Sequence, residues 1–193
     1  MPQQNDELVR RAKTRADALG ELYDLHYERV YGYCARRLAC SAAAEDVTAT
    51  VFLKIARKIQ TFRGETLVAF RCWMYRIATN EINNHLRRRI RRRRTLEDAL
   101  TTRAIDPNRT QEPAQLPDDY ARLHKAMQQL TRREQSAVTL RYFEELPSDE
   151  IAVILECKAV TVRVTVSRAL AKLRETMNHR QIETSRETSD VPR

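Results

Sequence analysis

Between residues 73 and 94 the chain collects side chains suited to holding unpaired nucleic acid. Trp73 and Tyr75 offer rings on which a base can stack, and Arg76 sets a cation beside them. Asn80, Asn83 and Asn84 offer amides that match Watson–Crick edges. Downstream, "HLRRRIRRRR" places seven arginines within residues 87–94. Guanidinium groups clasp phosphates bidentately, and each phosphate neutralised steepens the salt dependence of binding. Each part also has a plainer reading. Trp73 alone fits a core as well as a base. An arginine run alone fits a solvated helix or an arm. A membrane-surface helix fits less well, because the arginines ring the helix instead of filling one face. Asn83 and Asn84 tilt towards function, since an amide inside a helix carries a propensity penalty without a packing return.

A second stretch, "AVTVRVTVSRALAKLR" at 159–174, poses a conflict. Val160, Val162, Val164 and Val166 alternate with Thr161, Arg163, Thr165 and Ser167, as in a half-buried strand. Six β-branched residues disfavour a helix by roughly 2–4 kcal/mol in total relative to alanine. Against that, Val162, Val166, Leu170 and Leu173 share one helical face, and burying each is worth about 1.5–3 kcal/mol. The only possible partner strand, "AVTLRYF" at 137–143, follows a capping box and belongs to a helix. The segment is therefore expected to be helical. With "SDEIAVIL" before it, it forms a helix, a tight turn and a basic helix. Lys158, Arg163, Arg168, Lys172 and Arg174 stand there without an acid among them. In a helix-turn-helix the second helix enters the major groove, with its first residues at base edges and its cations at phosphates. The bland alternative is a solvated cationic helix on an ordinary bundle.

No enzyme chemistry emerges. P-loop, HExxH and GxSxG patterns are absent, and His26, His85, His124 and His179 are scattered without partners. Cys34, Cys40, Cys72 and Cys157 form no CxxC pair and no zinc spacing, so neither metal nor cofactor is expected. They read as reduced thiols of a cytoplasmic protein. No apolar run reaches membrane-spanning length and no signal peptide opens the chain, so membrane insertion is not expected. The formal charge is +9. Residues 1–94 hold 20 basic and 10 acidic residues, and residues 95–193 hold 15 and 16. The whole surplus lies in the first half, which points to a polyanion bound there.

The elements that must position these residues are helices. Only three glycines occur in 193 residues, too few for the hairpins of a β-rich fold. Tyr23, Tyr27, Val30, Cys34 and Leu38 mark one face of a helix over residues 19–38. Ser41 is the expected N-cap of the next, whose stripe is Ala44, Val47, Val51, Ile55 and Ile59. After "TFRGET", Phe70, Met74, Ala78, Ile82, Leu86 and Ile90 step by four along one long helix. A short helix before Tyr23 completes this core.

Residues 95–119 hold three prolines and six acids without sustained periodicity and read as a flexible, acidic linker. The second block, 120–177, opens with Leu123, Ala126, Met127 and Leu130 on one helix. Thr131 and Glu134 then form a capping box, and Pro147 stands where a helix start tolerates it. Residues 178–193 read as a polar tail. The fold class is all-α: two small helical domains joined by a flexible linker, the second a four-helix helix-turn-helix domain.

Five segments in order resemble an extracytoplasmic-function (ECF) sigma factor of bacterial RNA polymerase. They are "LYDLHYERVYGYCARRL", "AEDVTATVFLKI", "FRCWMYRIATNEINNHLRRR", "LTRREQSAVTLRYFEELPSDEIAVIL" and "TVRVTVSRALAKLR". Each alone is modest, whereas the ordered set is specific and covers most of the chain. The resemblance implies that residues 19–94 are sigma region 2 and residues 120–177 sigma region 4. Glu45, Asp46, Ala49, Thr50, Leu53 and Lys54 would then dock on the clamp helices of the polymerase β′ subunit. Arg63, Trp73, Tyr75, Arg76, Asn80 and Asn84 would capture and open the −10 promoter element, with Arg87, Arg88 and Arg89 on its backbone. Lys158, Thr161, Arg163, Val164, Ser167, Arg168 and Lys172 would meet the −35 element. The resemblance further implies a region 4 contact with the β flap, a linker threading towards the active-site cleft, and an anti-sigma factor that masks these surfaces.

The chain departs from the family's habit in two places. Ala49 and Thr50 stand where Gln-Glu is usual, and Glu156 and Lys158 fill a turn where glycine and a serine cap are common. Val160 and Thr165 replace a frequent glycine and arginine. The competing reading is an autonomous helix-turn-helix regulator with a basic helical arm, which would bind duplex DNA unaided.

Overall fold

Helix begins well upstream of the first periodic stretch. The computed structural model describes residues 2–38, 40–100 and 118–187, and all regular structure among them is helical. In the first compact unit, Met1–Pro113, α1 (Pro2–Ala12), α2 (Ala16–Leu38) and α3 (Ser41–Lys58) are followed by a 3-10 turn (Ile59–Thr61) and α4 (Leu67–Leu100). The second, Ala114–Arg193, holds α5 (Asp118–Gln128), α6 (Arg132–Tyr142), α7 (Ser148–Ile154) and α8 (Ala159–Glu187).

In the first unit α1 buries Leu8, Val9 and Ala12, and it packs on α2 and α4. The α3 stripe is buried as its spacing requires, from Ala44 to Ile59. On α4, Phe70, Met74, Ala78 and Ile82 are buried, but the stripe outruns the core: Leu86 is half-buried and Ile90 is 45% exposed.

Two local expectations shift by about one residue. Cys40, with extended backbone, is the N-cap of α3, and Ser41 is already helical. On α2 the buried face runs through Leu22, His26, Val30, Tyr33 and Cys34, not through Tyr23 and Tyr27. Those two tyrosines flank the core instead, where Phe52 of α3 lies 4.7 Å from Tyr23 and 6.2 Å from Tyr27. A tyrosine can pack its ring there and leave its hydroxyl wet, so hydropathy alone misplaces the face. The buried Tyr33 hydroxyl shares a hydrogen bond of 2.9 Å with Thr79.

The valine-rich segment is helical. α8 buries Val162, Val166, Ala169 and Leu173, whereas Val160 and Val164 remain exposed. With Ala126, Met127, Leu130 and Val138, the lower half of this stripe forms one buried cluster of the second unit. Packing outweighs β-propensity here, as the burial energies require.

The capping box at Thr131 and Glu134 is complete in both directions. Glu156 takes the left-handed conformation, φ 52°, in the turn between α7 and α8. Cys157 N–H donates to Ala152 O at 3.0 Å and closes the end of α7. Glutamate thus fills a position that glycine adopts without steric cost.

The expected linker differs at its start: α4 continues through residues 95–100, and residues 101–117 lie outside the described residues. The expected tail is helical as far as Glu187, and residues 188–193 lie outside them too. Two of the four cysteines, Cys34 and Cys72, are buried, and Cys40 and Cys157 are half-buried.

His26 generates a pH prediction. It is buried against Phe70, and neither ring nitrogen has a hydrogen-bond partner. Burial, then the charges of Arg29 and Arg71, push its pKa down from 6.5 to about 4. The folded state therefore favours neutral imidazole. Stability is full above pH 6.5 and falls as the pH drops towards 4, by about 3 kcal/mol once below both values. Urea unfolding followed through Trp73, the single tryptophan, should show this loss, and His26→Leu should flatten it. Equal pH slopes in the two proteins would refute it.

Candidate nucleic-acid interface

The start of α4 is pinned by side chains from outside it. Thr66 Oγ1 accepts from Ala69 N–H at 3.1 Å, and Asp6 Oδ1 of α1 accepts from Leu67 N–H at 2.7 Å. These contacts satisfy two of the donors a helix start leaves open. Phe62, just past the 3-10 turn, stacks on Trp73 with centroids 4.7 Å apart and planes 20° from parallel. The Phe62 ring stands edge-on to Phe70 at 6.2 Å, and the Lys13 ammonium lies 5.7 Å from its centroid. Gly64 is needed for space: a Cβ there would lie 2.3 Å from Phe62 Cζ and 2.9 Å from Ala69 Cβ. Trp73 is half-buried and thus serves both of its readings, as an aromatic wall whose other part is accessible.

From Trp73 the helix presents Arg76, Asn80, Asn84 and Arg87 at steps of three and four, so all five share one stripe. Arg76, Asn80 and Arg87 are exposed and Asn84 is half-buried. Arg63 is exposed in the loop before α4, and Arg88 and Arg89 extend the charge beyond the core. Tyr75 does not belong to this stripe. It is fully buried and edge-on to Tyr33 at 5.5 Å, because its position falls on the core side of α4. Of the two rings expected to stack on bases, Trp73 alone is partly accessible, and it lies against Phe62. Phe62, Asp6 and Lys13 were missed in the sequence, since nothing local links residues 6 and 13 to residues 62–73.

On α3, Glu45, Asp46, Ala49 and Leu53 are exposed, Leu53 to 51%. Thr50 is half-buried and returns its hydroxyl to Asp46 O at 2.9 Å. Lys54 is not simply offered to a partner, because its ammonium meets the buried Glu81 carboxylate of α4 at 2.6 Å.

In the second unit Thr161, Arg163, Val164, Ser167 and Arg168 are exposed on the first turns of α8, away from the buried valines, and Lys158 is exposed just before the helix. Lys172, one turn beyond Arg168 and likewise exposed, differs in having an ion-pair partner. Its ammonium lies 2.6 Å from Glu134. The Glu134 carboxyl also accepts from the Thr131 amide and hydroxyl. Lys172, followed by Thr131, holds that carboxyl below the usual carboxylate range, so the bond persists at neutral pH and weakens only in acid. Lys172 thus ties α8 to the start of α6.

An aromatic wall, an Arg/Asn stripe and a separate helix-turn-helix together define an all-α nucleic-acid-binding protein of two units. Family models agree: Sigma-70 region 2 matches residues 22–93, and Sigma-70, region 4 matches residues 120–173. The chain is 35% identical over 176 residues to the RNA polymerase sigma-H factor of Pseudomonas aeruginosa, covering 86% of this chain and 90% of that protein. It is 34% identical over 173 residues to the ECF RNA polymerase sigma factor BldN of Streptomyces coelicolor, covering 86% and 64%. The sigma factor RpoE of Bartonella quintana, solved in complex with the anti-sigma factor NepR, shares the fold. That match has a TM-score of 0.63 at 23% identity and covers 82% of this chain and 96% of that one. The chain belongs to the sigma-70 family, and within it to the ECF sigma factors that direct transcription initiation. Among the described residues no helix is long and apolar enough to cross a membrane.

Two predictions separate interface from scaffold. Gly64→Ala should displace Phe62 from Trp73, shift tryptophan emission and lower promoter opening while leaving helix content intact. Unchanged emission with full opening would contradict this. Lys172→Met should lower the stability of the second unit by up to about 1 kcal/mol without changing promoter choice, read by urea unfolding and by transcription from variant promoters. A changed base preference would return Lys172 to the DNA face.

Proposed function

We propose that the first unit is region 2 and the second region 4, each carrying one half of promoter recognition. The exposed face of α3, with Glu45, Asp46, Ala49, Thr50 and Leu53, docks on the β′ clamp helices of core polymerase, and region 4 contacts the β flap. The stripe Trp73, Arg76, Asn80, Asn84 and Arg87, flanked by Arg63, Arg88 and Arg89, captures the −10 element. Stacking replaces the lost base neighbours, amides read edges and arginines hold phosphates. Lys158, Thr161, Arg163, Val164, Ser167 and Arg168 meet the −35 element. The protein hydrolyses nothing itself and works in the cytoplasm beside the polymerase. An anti-sigma factor, as in the RpoE–NepR complex, is the expected inhibitor. The single observation that carries the reading is that five residues suited to unpaired DNA share one face of α4, opposite its core stripe.

The test is mobility shift and run-off transcription, with and without core polymerase. The protein alone should retain duplex promoter DNA poorly, and core should confer binding and initiation. Specific protection of a duplex by the free protein, without initiation, would favour an autonomous regulator. Arg163→Ala and Arg168→Ala should each reduce transcription that depends on the −35 element. For an arginine on phosphate, the salt slope of promoter binding should fall by about one.

A further inference from the structure

Glu81 is a buried carboxylate that no role above employs, and it sits where docking helix and reading helix meet. It is 8% exposed. Its Oε1 accepts from Lys54 Nζ of α3 at 2.6 Å and from Asn84 Nδ2, one turn along α4, at 3.4 Å. On its other side Asn84 Oδ1 accepts from Arg87 Nη2 at 3.0 Å, while Arg87 Nε reaches Asn83 O at 3.4 Å. The Asn84 amide is thus held between an anion facing its NH2 and a cation facing its oxygen.

That arrangement selects one of the two amide orientations. Turning Asn84 by half a revolution would aim its carbonyl at the Glu81 carboxylate and its NH2 at the Arg87 guanidinium, an unfavourable contact at both ends. An asparagine without such neighbours exchanges its donor and acceptor ends readily and presents either to a ligand. Here one N–H and one carbonyl lone pair are engaged inside the protein. Asn84 is half-buried, so its remaining N–H and lone pair, in the order these contacts fix, are what it can offer a ligand. A donor–acceptor pair in fixed order distinguishes base edges, which reverse the pattern from one base to another.

We propose that Glu81 is a positioning residue for promoter choice. By fixing the Asn84 amide between itself and Arg87, it sets which base the −10 reading face prefers at the position Asn84 meets. Lys54 of α3 holds the Glu81 carboxylate in its place through the 2.6 Å ion pair. The proposal rests on the reading that α4 captures the −10 strand.

The experiment is selection from a promoter library randomised in the −10 element, with core polymerase and full-length protein. Glu81→Gln, Asn84→Ala and their combination are compared with the parent, alongside thermal unfolding and core affinity. Glu81→Gln is isosteric but offers its own donor and acceptor, so only Arg87 still biases the orientation of Asn84. It should retain core affinity and flatten base preference at one position, on the order of tenfold. Asn84→Ala should flatten the same position, and the double variant should add nothing. Unchanged preference in Glu81→Gln, with Asn84→Ala altered, overturns the proposal and leaves the −10 reading standing. Unchanged preference in Asn84→Ala overturns both. If Glu81→Gln alone fails to fold, Lys54→Met with Glu81→Gln leaves no charge stranded. Base preference, being a ratio within loaded complexes, stays readable there even where docking weakens.

Discussion

Burial of one side of α4 against α2 and α3 is the interaction on which the first unit depends. Phe70, Met74, Tyr75, Ala78 and Ile82 turn inward, and the helical repeat then turns Trp73, Arg76, Asn80 and Asn84 to the other side. The same packing that stabilises the unit therefore orients the stripe proposed to meet DNA, and neither stripe can shift without the other. The caps from Thr66 and Asp6 decide where the helix starts, and hence which turn carries Trp73 beside Phe62.

The second unit solves a related problem with less favourable material. Valines and threonines that lean towards extended backbone are held helical by burial of Val162, Val166, Ala169 and Leu173. The turn before them places a glutamate at positive φ. The Glu134 carboxylate serves two helices at one point: it completes the capping box of α6 by accepting from Thr131, and it binds Lys172 of α8. Lys172 thereby links α8, which carries the proposed −35 face, to the start of α6. In both units a basic residue proposed as a contact, Lys54 or Lys172, is engaged by a buried glutamate from a neighbouring helix.

Much of this was legible beforehand where the signal is local. Periodicity located α3, the long α4 and the α8 stripe, and the capping box appeared where Thr131 and Glu134 predicted it. The five resembling segments identified the family that the comparisons confirm. Errors arose where residue type is ambiguous between core and surface. Tyrosine and tryptophan satisfy either environment, so residue type alone places Tyr75 at DNA although it lies in the core, and Tyr23 and Tyr27 in the core although they flank it. Ile90 continued a stripe in sequence beyond the point where any helix remains to cover it.

The chain of residues alone determined the helical class, the two blocks, the basic first half and the face on which Trp73, Arg76, Asn80 and Asn84 stand together, because these follow from a repeat of 3.6 residues and from charge. Only the tertiary structure decided that Phe62 forms the wall beside Trp73, that Asp6 caps a helix sixty-one positions away, and that Glu81 and Glu134 each capture a lysine from another helix. Such contacts depend on how helices approach one another, and spacing along one helix carries no record of which neighbour will be packed against it.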